Sequence, residues 1–101
     1  MILVYITCAT LDEAKNIART AVTEKLAACA NIFPQVHSIY TWQDELREDN
    51  EVVLILKTLE ANYEKLSAKV KDIQSYESPC IIALDAKQAN AEYLAWIMQS
   101  C

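Results

Sequence analysis

The sequence predicts an α+β sandwich of the split βαβ type, and three observations lead there. Hydrophobic patterning gives the order strand, helix, strand, strand, helix, strand, with one further helix at the end. The two middle strands belong to one continuous stretch, Glu24 to Thr58, in which each arm has room for about twice the usual 5–6 strand residues. The hydrophobic share is 53%, above the roughly 45–50% of an ordinary domain. An isolated hairpin is marginal in water. One this long therefore needs a surface beyond a small domain's own core, and a second copy of the chain is the natural candidate.

Taken in order, Ile2-Leu3-Val4-Tyr5-Ile6 is a short apolar run, as a strand buried on both faces requires. Thr10 and Glu13 have capping-box spacing. Ala14, Ile17, Ala18, Ala21, Val22 and Leu26 then recur at helical steps, so a helix is expected over 11–27. Ile32, Phe33, Val36, Ile39, Tyr40 and Trp42 favour a strand, Gln43-Asp44-Glu45 a turn, and Glu51 to Lys57 a returning strand. Tyr63, Leu66, Val70 and Ile73 mark a second helix over about 59–73, with Lys65, Lys69 and Lys71 towards its C-terminus. Pro79 bars helix at Ser78. Cys80 to Leu84 is the fourth strand, and Asn90 caps a last helix in which Tyr93, Leu94, Ile97 and Met98 share a face. This is the ferredoxin-like order. Right-handed crossovers put strands one and three in the centre. Two helices cover one sheet face, and a neighbouring subunit is expected on the other.

Composition narrows the function classes. At 101 residues one domain over 1–101 is expected, large enough to hold a core without staples. A net charge of −5 argues against nucleic acid or an anionic membrane as partner. No apolar run approaches the ~18 residues of a membrane span, and no signal core is apparent, so the cytoplasm is the expected location. Glycine is absent, which excludes Gly-rich phosphate loops. It also leaves positive φ to Asn and Asp, with Asp44, Asn50 and Asn90 the expected positions.

The residues able to carry chemistry are few. Cysteines stand at 8, 29, 80 and 101 without a Cys-x-x-Cys pair, so a disulfide framework is not expected. Burial as small hydrophobes is the simpler reading of each. The chemical reading is a soft-metal or redox pair of Cys8 and Cys80, which the topology places at one end of the sheet. His37 is the only histidine. It suits a solvent-facing strand position, and alone it supports neither a closed zinc site nor a Ser–His nucleophile. Asp44, Glu45, Glu48, Asp49 and Glu51 surround Arg47 near the hairpin tip, either as a solvated turn or as a loose cation site. Lys57, Tyr76 and Trp96 are candidates for a small polar cleft. Lys57 and Tyr76 fall at opposite ends of the sheet, so only a neighbouring chain would bring them together.

Glu24-Lys25-Leu26-Ala27-Ala28-Cys29-Ala30-Asn31, Ser38-x-Tyr40-x-Trp42, Glu51 through Lys57-Thr58, Tyr76-x-x-Pro79 and Tyr93-Leu94-x-Trp96-Ile97 together resemble the CutA family along the whole chain. The resemblance implies a ferredoxin-like fold with long hairpin strands, assembled as a homotrimer like the PII signalling proteins, with Tyr40 and Trp42 at the trimer interface. It implies tolerance of divalent cations, notably copper, no established catalytic reaction and no obligatory cofactor, with copper or another divalent cation as the candidate ligand. Some animal relatives are linked to anchoring a membrane-bound esterase. Departures concern the metal candidates: Gln74-Ser75-Tyr76 stands where many relatives have His-Pro-Tyr, and Cys80 where many have Glu. The first-strand Cys of some copper-binding relatives aligns with Ile6. Two functions follow from the likeness. One is a trimeric, non-catalytic cation-tolerance protein. The other is a PII-like module binding a ligand or protein partner at intersubunit clefts.

Overall fold

In the computed structural model, which describes all 101 residues, four antiparallel strands form one sheet in the order β2-β3-β1-β4. The elements are β1 (Ile2–Cys8), α1 (Leu11–Thr23), β2 (Cys29–Trp42), β3 (Glu45–Thr58), α2 (Tyr63–Ile73), β4 (Ile81–Asp85) and α3 (Ala91–Ser100). A short 3-10 turn, Glu60–Asn62, leads into α2. The central pair β1 and β3 is the one expected of a split βαβ sheet.

The core lies between the sheet and helices α1 and α2. Alternate residues of the central strands, Val4 and Ile6 in β1 and Leu54 and Leu56 in β3, are wholly buried there with Ile17 of α1 and Leu66 and Val70 of α2. The opposite face carries the odd-numbered residues of β3. Helix α3 meets that face where Lys57 projects, and it buries Ile97. Phe33, Ile82 and Leu84 are left about half exposed, at 50%, 48% and 50%.

Helix α1 starts as expected, with Thr10 Oγ1 accepting the Glu13 N–H at 3.1 Å. The Glu13 carboxylate does not close the capping box. It accepts instead from the Ser75 N–H and hydroxyl at 3.2 and 2.9 Å, tying α1 to the segment after α2. The helix also stops at Thr23 rather than continuing to residue 27. Lys25 adopts φ 60°, the Leu26 N–H returns to the Ala21 carbonyl at 2.9 Å and the Lys25 N–H to Val22 at 3.2 Å. This is a Schellman ending with lysine where glycine is usual. Val22 on α1 is exposed rather than core-facing, as is Met98 on α3.

The positive-φ positions are Lys25, Gln43 and Asp44, so of the expected three only Asp44 qualifies. Asn90 has φ −67° and acts as a cap, its Oδ1 accepting the Tyr93 N–H at 2.8 Å. Gln43 and Asp44 form a two-residue hairpin loop with both φ positive, which matches the right-handed twist of the flanking strands.

Candidate functional site

A single irregularity decides what the hairpin presents. Phe33 pairs with Val53 but Val36 pairs with Glu51, so β2 holds one extra residue at Pro34-Gln35. Proline, lacking an N–H, is tolerated at such a bulge. The bulge shifts the alternation of β2. Beyond it, Tyr40 and Trp42 stand opposite Arg47 and Glu45, on the face away from α1 and α2.

That face forms an open cavity of about 590 Å³, lined among others by Tyr40, Trp42, Arg47, Asp49, Glu51 and Tyr76. Two phenol–carboxylate pairs organise it. The Tyr76 hydroxyl donates to Glu51 Oε2 at 2.6 Å, and the Tyr40 hydroxyl donates to Asp49 Oδ2. Arg47 leans on Glu45 at 3.7 Å. Burial, and then the hydrogen bond its hydroxyl donates to the Glu51 carboxylate, hold Tyr76 protonated well above the ordinary tyrosine range. Tyr40 is raised too, first by its bond to Asp49. Both phenols are thus fixed as donors, and each carboxylate keeps its second oxygen for another partner.

Tyr76 is positioned from below by Gln74. This side chain is 9% exposed and donates to the Thr7 carbonyl at 2.5 Å, pinning the irregular segment after α2 against the end of β1. Its Oε1 has no partner.

The other anticipated residues fall elsewhere. Lys57 Nζ donates to the Tyr93 hydroxyl at 3.2 Å and lies 5.3 Å from that ring's centre. Tyr93 in turn packs on Trp96, ring centres 5.7 Å apart. One chain therefore brings Lys57 and Trp96 together through Tyr93, while Tyr76 sits at the far end of the sheet with Glu51. Tyr93 is the residue sequence reasoning left out of this group. Its three-residue spacing to Trp96 on a helix was the available signal.

Cys8 closes β1 and is fully buried, and Cys80 lies just ahead of β4 and is partly buried, both at the same end of the sheet. Burial pushes the Cys8 thiol up from 9.0 to about 11, against a smaller lowering by Gln74. All four cysteines are free. His37 is exposed on β2 opposite Asn50, and no three His, Cys, Asp or Glu side chains gather as ligands for one metal ion.

A four-stranded antiparallel sheet with two helices on one face and a third across the other defines a ferredoxin-like α+β protein, here with an outsized β2–β3 hairpin. The model of the CutA1 divalent ion tolerance protein family matches residues 2–100, and the chain belongs to that family. It is 42% identical over 97 residues to the divalent-cation tolerance protein CutA of Thermus thermophilus, covering 96% of this chain and 94% of that one. It is 43% identical over 93 residues to a CutA homolog of Xenopus laevis, covering 92% of this chain but 62% of the relative. The mouse and human proteins are likewise matched over only 54% and 53% of their lengths. Among solved structures, the Thermus thermophilus Cut A1 protein superposes with a TM-score of 0.95 at 42% identity, covering 99% and 98% of the two chains. The Archaeoglobus fulgidus protein, described as a periplasmic divalent cation tolerance protein, gives 0.95 at 35% identity, again over 99% and 98%. No helix of this chain is long and apolar enough to cross a membrane.

Proposed function

We propose that this protein, as one domain over 1–101, serves divalent-cation tolerance as a non-catalytic cytoplasmic homotrimer, with copper as the cation concerned. The observation that carries the assembly is the outer hairpin. Every residue from 41 to 50 is exposed, yet the hairpin bears Ile39, Tyr40, Trp42 and Leu46 at 63%, 40%, 41% and 72% exposure. Apolar side chains gathered on a projecting ribbon mark an association surface. Tyr40 and Trp42 are the proposed contacts, and the half-covered Phe33, Ile82 and Leu84 extend the patch. Light scattering on the purified chain should report three chains per particle. One chain per particle would overturn the assembly.

A non-catalytic role is taken from the family resemblance; His37, on β2 opposite Asn50, is followed by Ser38, whose side chain alternates to the other sheet face. Copper enters through the family resemblance, and Cys8 and Cys80 are the side chains proposed to meet it. Because the Cys8 thiol holds its proton tightly, binding must displace that proton and should strengthen as pH rises. A Cu(I) titration of reduced protein should lose affinity in the Cys8→Ser, Cys80→Ser double variant. Unchanged affinity would remove the pair from consideration.

A second reading, a PII-like ligand module, draws support from the Lys57–Tyr93–Trp96 cluster, which offers an ammonium, a phenol and an indole at one place. In that reading Tyr76 of an adjacent subunit completes the cleft. Lys57→Met should then leave the particle mass unchanged while abolishing anion binding. Dissociation of the variant would make Lys57 structural.

A further inference from the structure

We infer that Cys29 and Cys101 form a redox latch, an intrachain disulfide that fastens the end of α3 to the start of β2. The two thiols reach the same short stretch of β3 from different elements. Cys29 opens β2 as the register partner of Lys57, and the Ala28 N–H donates to the Lys57 carbonyl at 2.9 Å. Cys101 follows α3, and its Sγ lies 3.8 Å from Thr58 Oγ1. Thr58 is wholly buried; its hydroxyl donates to the Leu26 carbonyl at 2.6 Å and accepts from Asn62 Nδ2 at 3.1 Å. Thr58 thus ties the chain just ahead of Cys29 to the place where Cys101 rests.

Geometry and chemistry both single out this pair. Antiparallel partners hold their Cα atoms about 4.5–5.5 Å apart, so Cys29 lies one further Cα step, about 3.8 Å, from Thr58. Its side chain shares the Lys57 face of the sheet, the face that α3 covers through Tyr93. Cys101 stands beyond the last helical residue, Ser100. Turning its Sγ towards Cys29 gives up only weak sulfur contacts, to the Ile97 carbonyl at 3.3 Å and to Thr58. Both thiols are free and only partly buried, within reach of a small oxidant. Cys8 is wholly buried opposite Val52, at the far end of the sheet, and Cys80 precedes β4 at that same end. Cys29 and Cys101 are also separate from the residues proposed to meet a second copy.

A disulfide such as oxidised glutathione balances the step. One protein thiolate attacks its S–S bond, forming a mixed disulfide and releasing one glutathione. The second protein thiolate attacks the protein sulfur of that mixed disulfide, and the other glutathione leaves. The two protein thiols are oxidised, the glutathione disulfide is reduced, and the two protons pass to the departing thiolates. The new bond closes a loop spanning most of the 101-residue chain, and long loops lose most freedom on cross-linking. Helix α3, otherwise held by the Lys57–Tyr93 bond and buried Ile97, is strapped down in the oxidised protein and released in the reduced one.

The test treats the reduced full chain with oxidised glutathione and counts free thiols after denaturation. The count should fall by half, and peptide mapping should find Cys29 joined to Cys101 within one chain. Dithiothreitol should restore all four thiols. In Cys101→Ser the reaction should stop at a mixed disulfide on Cys29, and in Cys29→Ser at one on Cys101. Far-UV circular dichroism checks both variants, and if one is unfolded the other decides. Amide exchange over residues 91–100 should slow in the oxidised wild type and stay unchanged in the treated variants. Retention of all four thiols, a bond that involves Cys8 or Cys80, or a bond between two chains overturns the assignment. An intrachain Cys29–Cys101 bond that leaves exchange in α3 unaltered overturns the latch.

Discussion

The inner and outer halves of the β2–β3 hairpin have the same strand pairing and opposite surroundings. Inside, Val52, Leu54, Leu56 and Thr58 are buried on the face that meets α1 and α2, beside β1, and Val53 is buried on the opposite face. Outside, β3 residues 45–50 pair only with β2, and both arms are exposed. The 45 Å long axis against 26 and 22 Å is the length of 14-residue strands at about 3.4 Å each. The Cα radius of gyration of 14.1 Å exceeds the ~13 Å of a compact chain this size. Chemistry changes at the same boundary. The inner half is packed aliphatic, whereas the outer half interleaves carboxylates, phenols and an indole. On its helix-covered face the inner half needs nothing beyond this chain, and on the other it leaves only Phe33 half exposed. The outer half carries its apolar side chains to places where only another molecule can cover them.

The comparison breaks most clearly at Leu54, wholly buried at the centre of β3. Leu54→Ala should cost about 3–5 kcal/mol of unfolding free energy, read from urea denaturation at fixed protein concentration. A loss inside the ±0.5 kcal/mol of ordinary surface sites would mean the inner half is not the core. Trp42→Ala comes next. In the single chain this indole is 41% exposed, which argues for a minor loss. In the proposed trimer it is covered, and the loss should approach about 3 kcal/mol and grow as the protein is diluted. A small, concentration-independent change would leave the outer half a solvated ribbon.

How much of this was visible beforehand divides along the same line. The inner half was legible because apolar periodicity reports burial against the chain's own helices, and the strand order followed from the element order. The Thr10 and Asn90 caps were legible for the same local reason. The end of α1 was not, since the usual glycine signal is replaced by Lys25 in the left-handed region. Pro34 was the available sign of the bulge, and without the bulge Tyr40 and Trp42 would be assigned to the wrong face. The Tyr76–Glu51 and Lys57–Tyr93 pairs join residues 25 and 36 apart. No spacing rule reaches that far, so the partners Glu51 and Tyr93 emerged only with the sheet, whereas the separation of Lys57 from Tyr76 already followed from the strand order.

Alkaline titration sharpens the boundary between the halves, because Cys8 and Tyr76 both lie where the inner sheet meets the cavity. Each has a folded pKa raised above its unfolded value, so each favours the folded state fully below the unfolded pKa. That contribution is lost as pH climbs towards the folded one. For Cys8 the window runs from 9.0 to about 11, and the Tyr76 loss begins at about pH 10, the unperturbed tyrosine value. Stability should therefore fall with rising pH from the lower edge of the Cys8 window. Cys8→Ala should flatten the first part of the decline and Tyr76→Phe the later part. A pH-independent plateau through that range in the wild type would contradict the burial of both groups.

The smallest expected effects compare two left-handed residues, one on each side of the divide. Lys25 ends α1 beside the core with φ 60°, and Asp44 turns the hairpin at its far tip with φ 63°. A side chain in this region is disfavoured sterically, less so for Asp, whose short polar group tolerates it. Glycine removes the clash but adds freedom to the unfolded chain. Lys25→Gly should therefore stabilise globally by about 0.5–1 kcal/mol, visible in the denaturation midpoint. Asp44→Gly should change the midpoint by less than about 0.5 kcal/mol, with any gain appearing as slower amide exchange confined to residues near the turn. That contrast requires the tip to open separately from the core. If Asp44→Gly moves the global midpoint as far as Lys25→Gly does, the outer hairpin unfolds with the core, and the two halves form one cooperative unit.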